Sequence, residues 1–208
     1  MHLMWEFLRA GGPFMVLLVL TSIVGVTFII ERGFALRWGR VIPKRVELAA
    51  GNCRTREDLV RLRQLCTEEP SALSRLLEVA HDHLSSPREE NVDVIQTRAR
   101  HEVLQLERGL VVLEIVVGIA PLLGLVGTVH GLITLFGELG SAGLGDNSVL
   151  ARGIAIALNT TLMGLLIAIP SLIAWSYYNK KVETLAVEME TLCDEFLRRQ
   201  YRTYSQKS

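Results

Sequence analysis

The sequence predicts an all-α integral membrane protein. Three transmembrane helices are expected, the second and third extended into a cytoplasmic helical bundle. Three observations carry this reading. Half of the 208 residues are hydrophobic, and the charges are nearly absent from three windows while dense elsewhere; a soluble core does not segregate charge in this way. Apolar residues recur at spacings of three and four, and no alternating strand pattern with turn chemistry occurs. The basic residues also crowd on one side of the windows.

Residues 1–13, MHLMWEFLRAGGP, place Trp5, Phe7 and Leu8 beside Glu6 and Arg9 and read as a periplasmic interfacial helix. Residues 14–30, FMVLLVLTSIVGVTFII, carry no charge and form the first span, closed by Glu31 and Arg32. Gly11 and Gly12 lengthen it toward the roughly 20 residues a bilayer requires. A cleaved signal peptide is the competing reading, but the segment before the apolar run, MHLMWEFLRAGG, carries one Arg and one Glu rather than a basic lead.

Residues 31–108 hold 14 of the 22 Lys and Arg and form the cytoplasmic helical segment. The membrane-proximal Arg32, Arg37, Arg40 and Arg108, with the scarcity of basic residues in 137–152, orient the N-terminus outside and the C-terminus inside. Thr55 with Asp58 resembles a capping box. Pro70 opens a helix with Leu73, Leu76, Leu77, Ala80 and Leu84 on one face, and Ser85, Ser86 and Pro87 end it. From Arg88 the stripe Ile95, Ala99, Val103, Leu106, Leu110, Leu113 meets no turn signal, so one helix is expected to enter the membrane directly.

Residues 109–136 form the second span, interrupted only by Glu114 and His130. Residues 137–152 read as a glycine-rich periplasmic loop, and no Gly-Lys-Ser or Gly-Lys-Thr makes it a phosphate loop. Residues 153–175 form the third span. Residues 176–208 continue it as a cytoplasmic C-terminal helix with the stripe Val182, Leu185, Met189, Leu192, Phe196.

Small residues line one face of each later span. Ala120, Gly124, Gly127 and Gly131 do so in the second; Gly153, Ala157, Thr161, Gly164, Ala168 and Ser171 in the third. Such faces let helices approach closely, with hydroxyls bonding across the contact. Thr128 lies beside the first face and Thr161 within the second. Asn159 and Thr160 point elsewhere, by about 200° and 100°, and suit bonds to neighbouring helices. Glu114, fourteen residues before Thr128, shares its face to within about 40° on an ideal helix. It either joins the polar path or reaches inner-leaflet water. Pro121 and Pro170 are expected kinks. One chain has too few helices to enclose a path, so several copies around an axis would have to line it with Thr128 and Thr161.

Zero net charge gives no reason to expect nucleic acid. Cys53, Cys66 and Cys193 fall on the cytoplasmic side, and an odd count there argues against structural disulfides. Cys53, Cys66, His81 and His83 lack the paired spacing of a zinc site and read as ordinary helix residues. No cofactor, metal or nucleotide motif is legible. The spans contain no nucleophile–base pair for an intramembrane enzyme, and His130 reads as a packing or interface residue.

Two stretches carry a family resemblance. APLLGLVGTVHGLITLF (120–136) and GIAIALNTTLMGLLIAIPSLIAW (153–175) resemble the second- and third-span signatures of the MotA/TolQ/ExbB proton channel family. The three spans, large cytoplasmic segment and outside N-terminus resemble its ExbB/TolQ branch. The resemblance implies a homo-oligomer, a pentamer in the bacterial inner membrane, around two copies of an ExbD/TolR-like single-span partner. The partner carries a membrane aspartate that takes up and releases protons. Thr128 and Thr161 match the pore threonines. Thr160 and Glu114 are further candidates for the pathway, and Gly124, Gly127, Gly131, Ala157, Gly164 and Ala168 for helix packing. Inward proton flow would then drive work on a TonB/TolA-like envelope protein. This chain has Ile156 where the branch commonly carries an acid, which makes it a divergent member. The alternative is a non-conducting oligomeric scaffold for an envelope or secretion complex, in which the threonines only hold helices together.

Overall fold

A computed structural model describes residues 12–142 and 147–205. The described chain is helical throughout its regular structure: α1 (Gly12–Ala35), α2 (Trp38–Val41), α3 (Lys44–Asn52), α4 (Arg56–Glu68), α5 (Ala72–Asp82), α6 (Arg88–Glu107), α7 (Leu110–Ala142) and α8 (Asn147–Ser205). Three of these are long and apolar enough to cross a membrane: Gly12–Ala35, Leu110–Gly137 and the apolar part of α8 from Gly153. The chain is a membrane protein with three candidate spans.

Two compact units emerge, residues 1–31 with 109–177, and residues 32–108 with 178–208. In the first, α1, α7 and the N-terminal part of α8 pack through a small core. Met15, Leu18, Val116, Ala120, Ile167 and Ala168 are buried, with Leu123 and Met163 against them. Gly25 permits this contact, since a Cβ there would lie 3.3 Å from both Ser171 Oγ and Val116 Cγ1. The outward faces stay apolar, with Leu20, Leu122, Ile133 and Ile173 more than half exposed. Such surface is suited to acyl chains or to neighbouring copies.

The second unit has a conventional core. Leu62, Leu73, Leu76 and Leu77 from α4 and α5 meet Ile95 and Ala99 of α6 and Leu185, Met189 and Phe196 of α8. The stripe read along 182–196 is thus the buried face of that helix, with Leu192 only partly covered. The capping box of α4 is complete: Asp58 N–H donates to Thr55 Oγ1 (3.2 Å), and Thr55 N–H donates to Asp58 Oδ2 (2.9 Å). The N-cap of α5 is Ser71, which accepts from Ser74 N–H, so Pro70 stands just outside the helix rather than opening it. The end of α8 is tied down by Tyr201 Oη–H, which donates to Ser86 O (2.8 Å), and by Gln200 Nε2–H, which donates to Cys53 O (3.0 Å). Glu102 is 1% exposed and is gripped by Arg75 through Nε (2.9 Å) and Nη2 (2.5 Å), and by Arg98 Nη2 (2.9 Å).

Three differences from the sequence reading stand out. The helix from Arg88 does not run unbroken into the second span: a turn at Arg108 and Gly109 separates α6 from α7. Glycine has poor helix propensity, and the stripe on either side masks the break. The link expected over 137–152 is mostly helical, because α7 continues to Ala142 and α8 begins at Asn147. Of the expected interfacial helix 1–13, residues 1–11 lie outside the described residues; α1 begins at Gly12, whose φ of +64° suits glycine. Pro121 and Pro170 sit inside α7 and α8 without ending either. Each lacks an N–H, so the carbonyls of Val117 and Leu166 lose their usual helical donor.

Cys53 and Cys66 are buried in the second unit's core. His81 faces Asp82 at 3.5 Å, and His83 Nδ1 lies 2.9 Å from Val79 O. No group of three His, Cys, Asp or Glu among the described residues is placed to hold a metal.

Candidate functional site

The polar centre of the membrane unit lies beside a close approach of α7 and α8. A Cβ on Gly124 would fall 2.8 Å from Thr160 O and 2.9 Å from Thr161 Cα; one on Gly164 would fall 2.5 Å from Ala120 O. These obstacles are backbone, so only glycine fits at this crossing. Gly131 lies similarly over Ala157, with its added Cβ 3.1 Å from that side chain. Gly127 faces Thr160, and Ala168 belongs to the buried core.

This close approach brings three hydroxyls together. Thr128 Oγ1 lies 2.5 Å from Thr161 Oγ1, 3.2 Å from Thr160 Oγ1, 3.1 Å from Gly124 O and 3.0 Å from Ala157 O. Thr160 Oγ1–H donates to Ala157 O (2.8 Å) or Gly124 O (3.1 Å), and Thr161 Oγ1–H donates to Gly124 O (3.1 Å). Each hydroxyl has one hydrogen and two lone pairs. Three hydrogens therefore face more acceptor positions than they can fill. Rotating the hydroxyls redistributes the bonds without moving a heavy atom, the property a chain of exchangeable protons requires.

Thr160 is 2% exposed, Thr128 9%, and Thr161 only partly buried. On an ideal helix Thr160 points about 100° away from Thr161, a direction suited to a bond with a neighbouring helix. The structure places both against α7, because at so short an interhelical distance adjacent side chains reach the same neighbour. The neighbouring helix that Thr160 bonds is α7, at Gly124 O (3.1 Å).

Glu114 is exposed on α7, whereas Thr128 is buried against α8. The face they share on an ideal helix is not a shared environment here. About 21 Å of helix separates them at 1.5 Å per residue.

His130 meets the Phe14 ring edge-on, with centroids 5.5 Å apart. Beside it is a cavity of about 350 Å³, lined in part by Gly127, His130, Thr134, Ile156, Ala157 and Thr160. His130 was expected as a packing or interface residue; it contacts Phe14 and also borders this space. Nothing in the periodicity of α7 signals that, since it depends on where α1 sits.

The chain matches the model of the MotA/TolQ/ExbB proton channel family over residues 68–191. It is 35% identical over 180 residues to "Putative biopolymer transport protein ExbB-like 1" of Synechocystis, covering 84% of this chain and 69% of that protein. It is 31% identical over 119 residues to "Biopolymer transport protein ExbB" of Aquifex aeolicus, covering 57% and 80%. Against "Biopolymer transport protein ExbB" of Helicobacter pylori it is 36% identical over 83 residues, covering 40% of this chain and 57% of that protein.

Proposed function

The chain belongs to the MotA/TolQ/ExbB proton channel family, in its ExbB/TolQ-like branch, and we propose that it is the channel subunit of an inner-membrane motor driven by the proton gradient. The observation that carries this reading is the hydroxyl cluster of Thr128, Thr160 and Thr161, held between two spans by glycine contacts. Its hydroxyls can relay or solvate a proton without a fixed charge, and Thr161 is the member that remains partly open.

In this reading several copies, five by the family resemblance, surround two single-span partners. Each partner supplies the membrane aspartate that is charged and discharged. The N-terminus is periplasmic and the C-terminus cytoplasmic. The ion gradient provides about 2.3 kcal/mol per charge per 100 mV, and the work is delivered to an envelope protein. No enzymatic role is proposed.

A second reading, the non-conducting scaffold, is favoured by one observation: all three hydroxyls find acceptors within a single chain. Thr161→Val separates the two readings. It keeps shape and removes the hydroxyl. Vesicles from cells carrying the full chain with its native companions would be energised and proton uptake followed with a pH dye. Intact assembly with uptake lost supports the channel; intact assembly with uptake unchanged leaves the scaffold.

A further inference from the structure

We propose that the cavity beside His130 is a proton-collecting vestibule, with His130 as its titrating group and Thr160 as its outlet into the hydroxyl cluster. This rests on the proton-channel reading above. Across the three windows 14–30, 109–136 and 153–175 the ionisable side chains are Glu114 and His130 alone. Of these, His130 borders the cavity and Glu114 does not.

The cavity, open on the side where His130 and Thr134 are exposed, has a volume of about 350 Å³, room for about twelve waters at ~30 Å³ each. Its wall supplies the polar partners that water needs. His130 presents an imidazole, and Thr134 and Thr160 present hydroxyls. Thr160 is at once a wall residue and a member of the cluster, 3.2 Å from Thr128 Oγ1. A proton entering at His130 thus has a route of hydroxyl oxygens onward to Thr161.

The elements packed around the imidazole bring no second ionisable side chain to the space. From α1 it meets Phe14; from α8 the wall offers Gly153, Ile156, Ala157 and Thr160; from α7 itself come Gly127, Gly131, Thr134 and Leu135. No charged or titratable side chain other than His130 occurs among these described lining residues. The transfer balances as an exchange. A ring nitrogen takes a proton from water and returns it to water in the cavity. Thr160 Oγ1 accepts that proton as its own hydrogen passes to Thr128 Oγ1, Thr128 passes its hydrogen to Thr161 Oγ1, and Thr161 releases its own at its partly open face, so each hydroxyl ends with one hydrogen.

The test uses the full chain in lipid nanodiscs, with ring-15N histidine and labelled threonine methyls followed by NMR against pH. The His130 signal is assigned by its loss in His130→Phe, which preserves a ring against Phe14; His130→Gln serves as a second assignment variant should that one misfold. The expected result is a His130 titration in the pH range where imidazoles change charge, accompanied by a Thr160 methyl shift with the same midpoint. The Thr160 shift disappears in either variant. A ring that does not titrate, or a Thr160 signal that ignores it, overturns the proposal.

Dye-reported proton uptake in vesicles from cells carrying the full chain with its native companions then gives the pH profile. His130→Phe should abolish the step in uptake with outer pH, while Thr161→Val lowers uptake at every pH. An unchanged profile in His130→Phe overturns the vestibule even if Thr161→Val is inactive. Uptake insensitive to Thr161→Val instead defeats the channel reading, and the NMR linkage between His130 and Thr160 is judged without it.

Discussion

Gly124 and Gly164 lie against each other across α7 and α8, close enough that a Cβ on Gly164 would come within 3.2 Å of Gly124 Cα. The same Cβ would press on Ala120 O at 2.5 Å. Main-chain atoms cannot swing aside as a long side chain can. Gly164→Ala is expected to cost at least about 1–3 kcal/mol of helix association, the range for overpacking. Reversible unfolding of the full chain in mixed micelles would measure it. Stability equal to wild type would show that the two helices are not in this contact.

Thr160→Val is the companion test of the cluster. It preserves shape and removes a hydroxyl that is 2% exposed and bonded to Gly124 O and Ala157 O. Hydrogen bonds between membrane helices average about 0.6 kcal/mol and reach about 1.7, so a loss within that range is expected. Under the channel reading its effect on proton uptake should exceed that small stability cost.

Glu102 should be the most sensitive charged residue of the second unit. Arg75→Met removes two of the three contacts to a carboxylate that is 1% exposed, at an expected cost of about 3 kcal/mol. Glu102→Met should cost less, because Arg75 and Arg98 retain 38% and 37% side-chain exposure and can turn to water. Chemical denaturation of the two variants gives the ranking; the reverse order would contradict a buried, doubly held carboxylate.

The three cysteines should be nearly inert while the protein is folded. Burial, then the Asp58 charge, pushes the Cys53 thiol up to about 11 against a hydrogen bond from Gln200. Burial and Glu78 take Cys66 to about 11, with Ser74 opposing; burial and Glu190 take Cys193 to about 12. At pH 8 a thiol at 11 is about one part in a thousand thiolate, the reactive form. Intact-mass analysis after iodoacetamide should show almost no adduct in native protein and three per chain in denaturant.

The α4 capping box gives a signed acid dependence. Backbone N–H donation from Arg54 and Thr55 holds the Asp58 carboxyl below its usual value of 3.8, with the Thr55 hydroxyl helping. A depressed folded-state value stabilises above the unfolded value and is lost as pH falls through the folded one. Amide exchange at Arg54 and Thr55 should therefore be slower in wild type than in Asp58→Asn near neutrality. The two should converge well below pH 4, once chemical exchange rates are corrected for pH.

The spans were legible because a bilayer imposes a crude rule, about 20 residues without charge, and three windows meet it. The capping box was legible because its two bonds join residues three apart. Glu102 was not: the stripe Ile95, Ala99, Val103, Leu106 marks one face, and a carboxylate beside it reads as solvated until Arg75 is seen to approach from another helix. A bond from Thr160 to a neighbouring helix was legible, but that it shares α7 with Thr161 was not, because a helical wheel gives direction but not interaxial distance, and the glycines shorten that distance. The cavity beside His130 required the position of Phe14, which no local pattern supplies.

The prolines within α7 and α8 confer something else. Where Val117 and Leu166 surrender their ladder donors to Pro121 and Pro170, each rod is left with a rung missing and an oxygen that no longer receives its helical N–H. A helix bends more readily at a missing rung than elsewhere, so we expect any flexing of the two longest described helices to fall at these stations and to spare the glycine crossing between them.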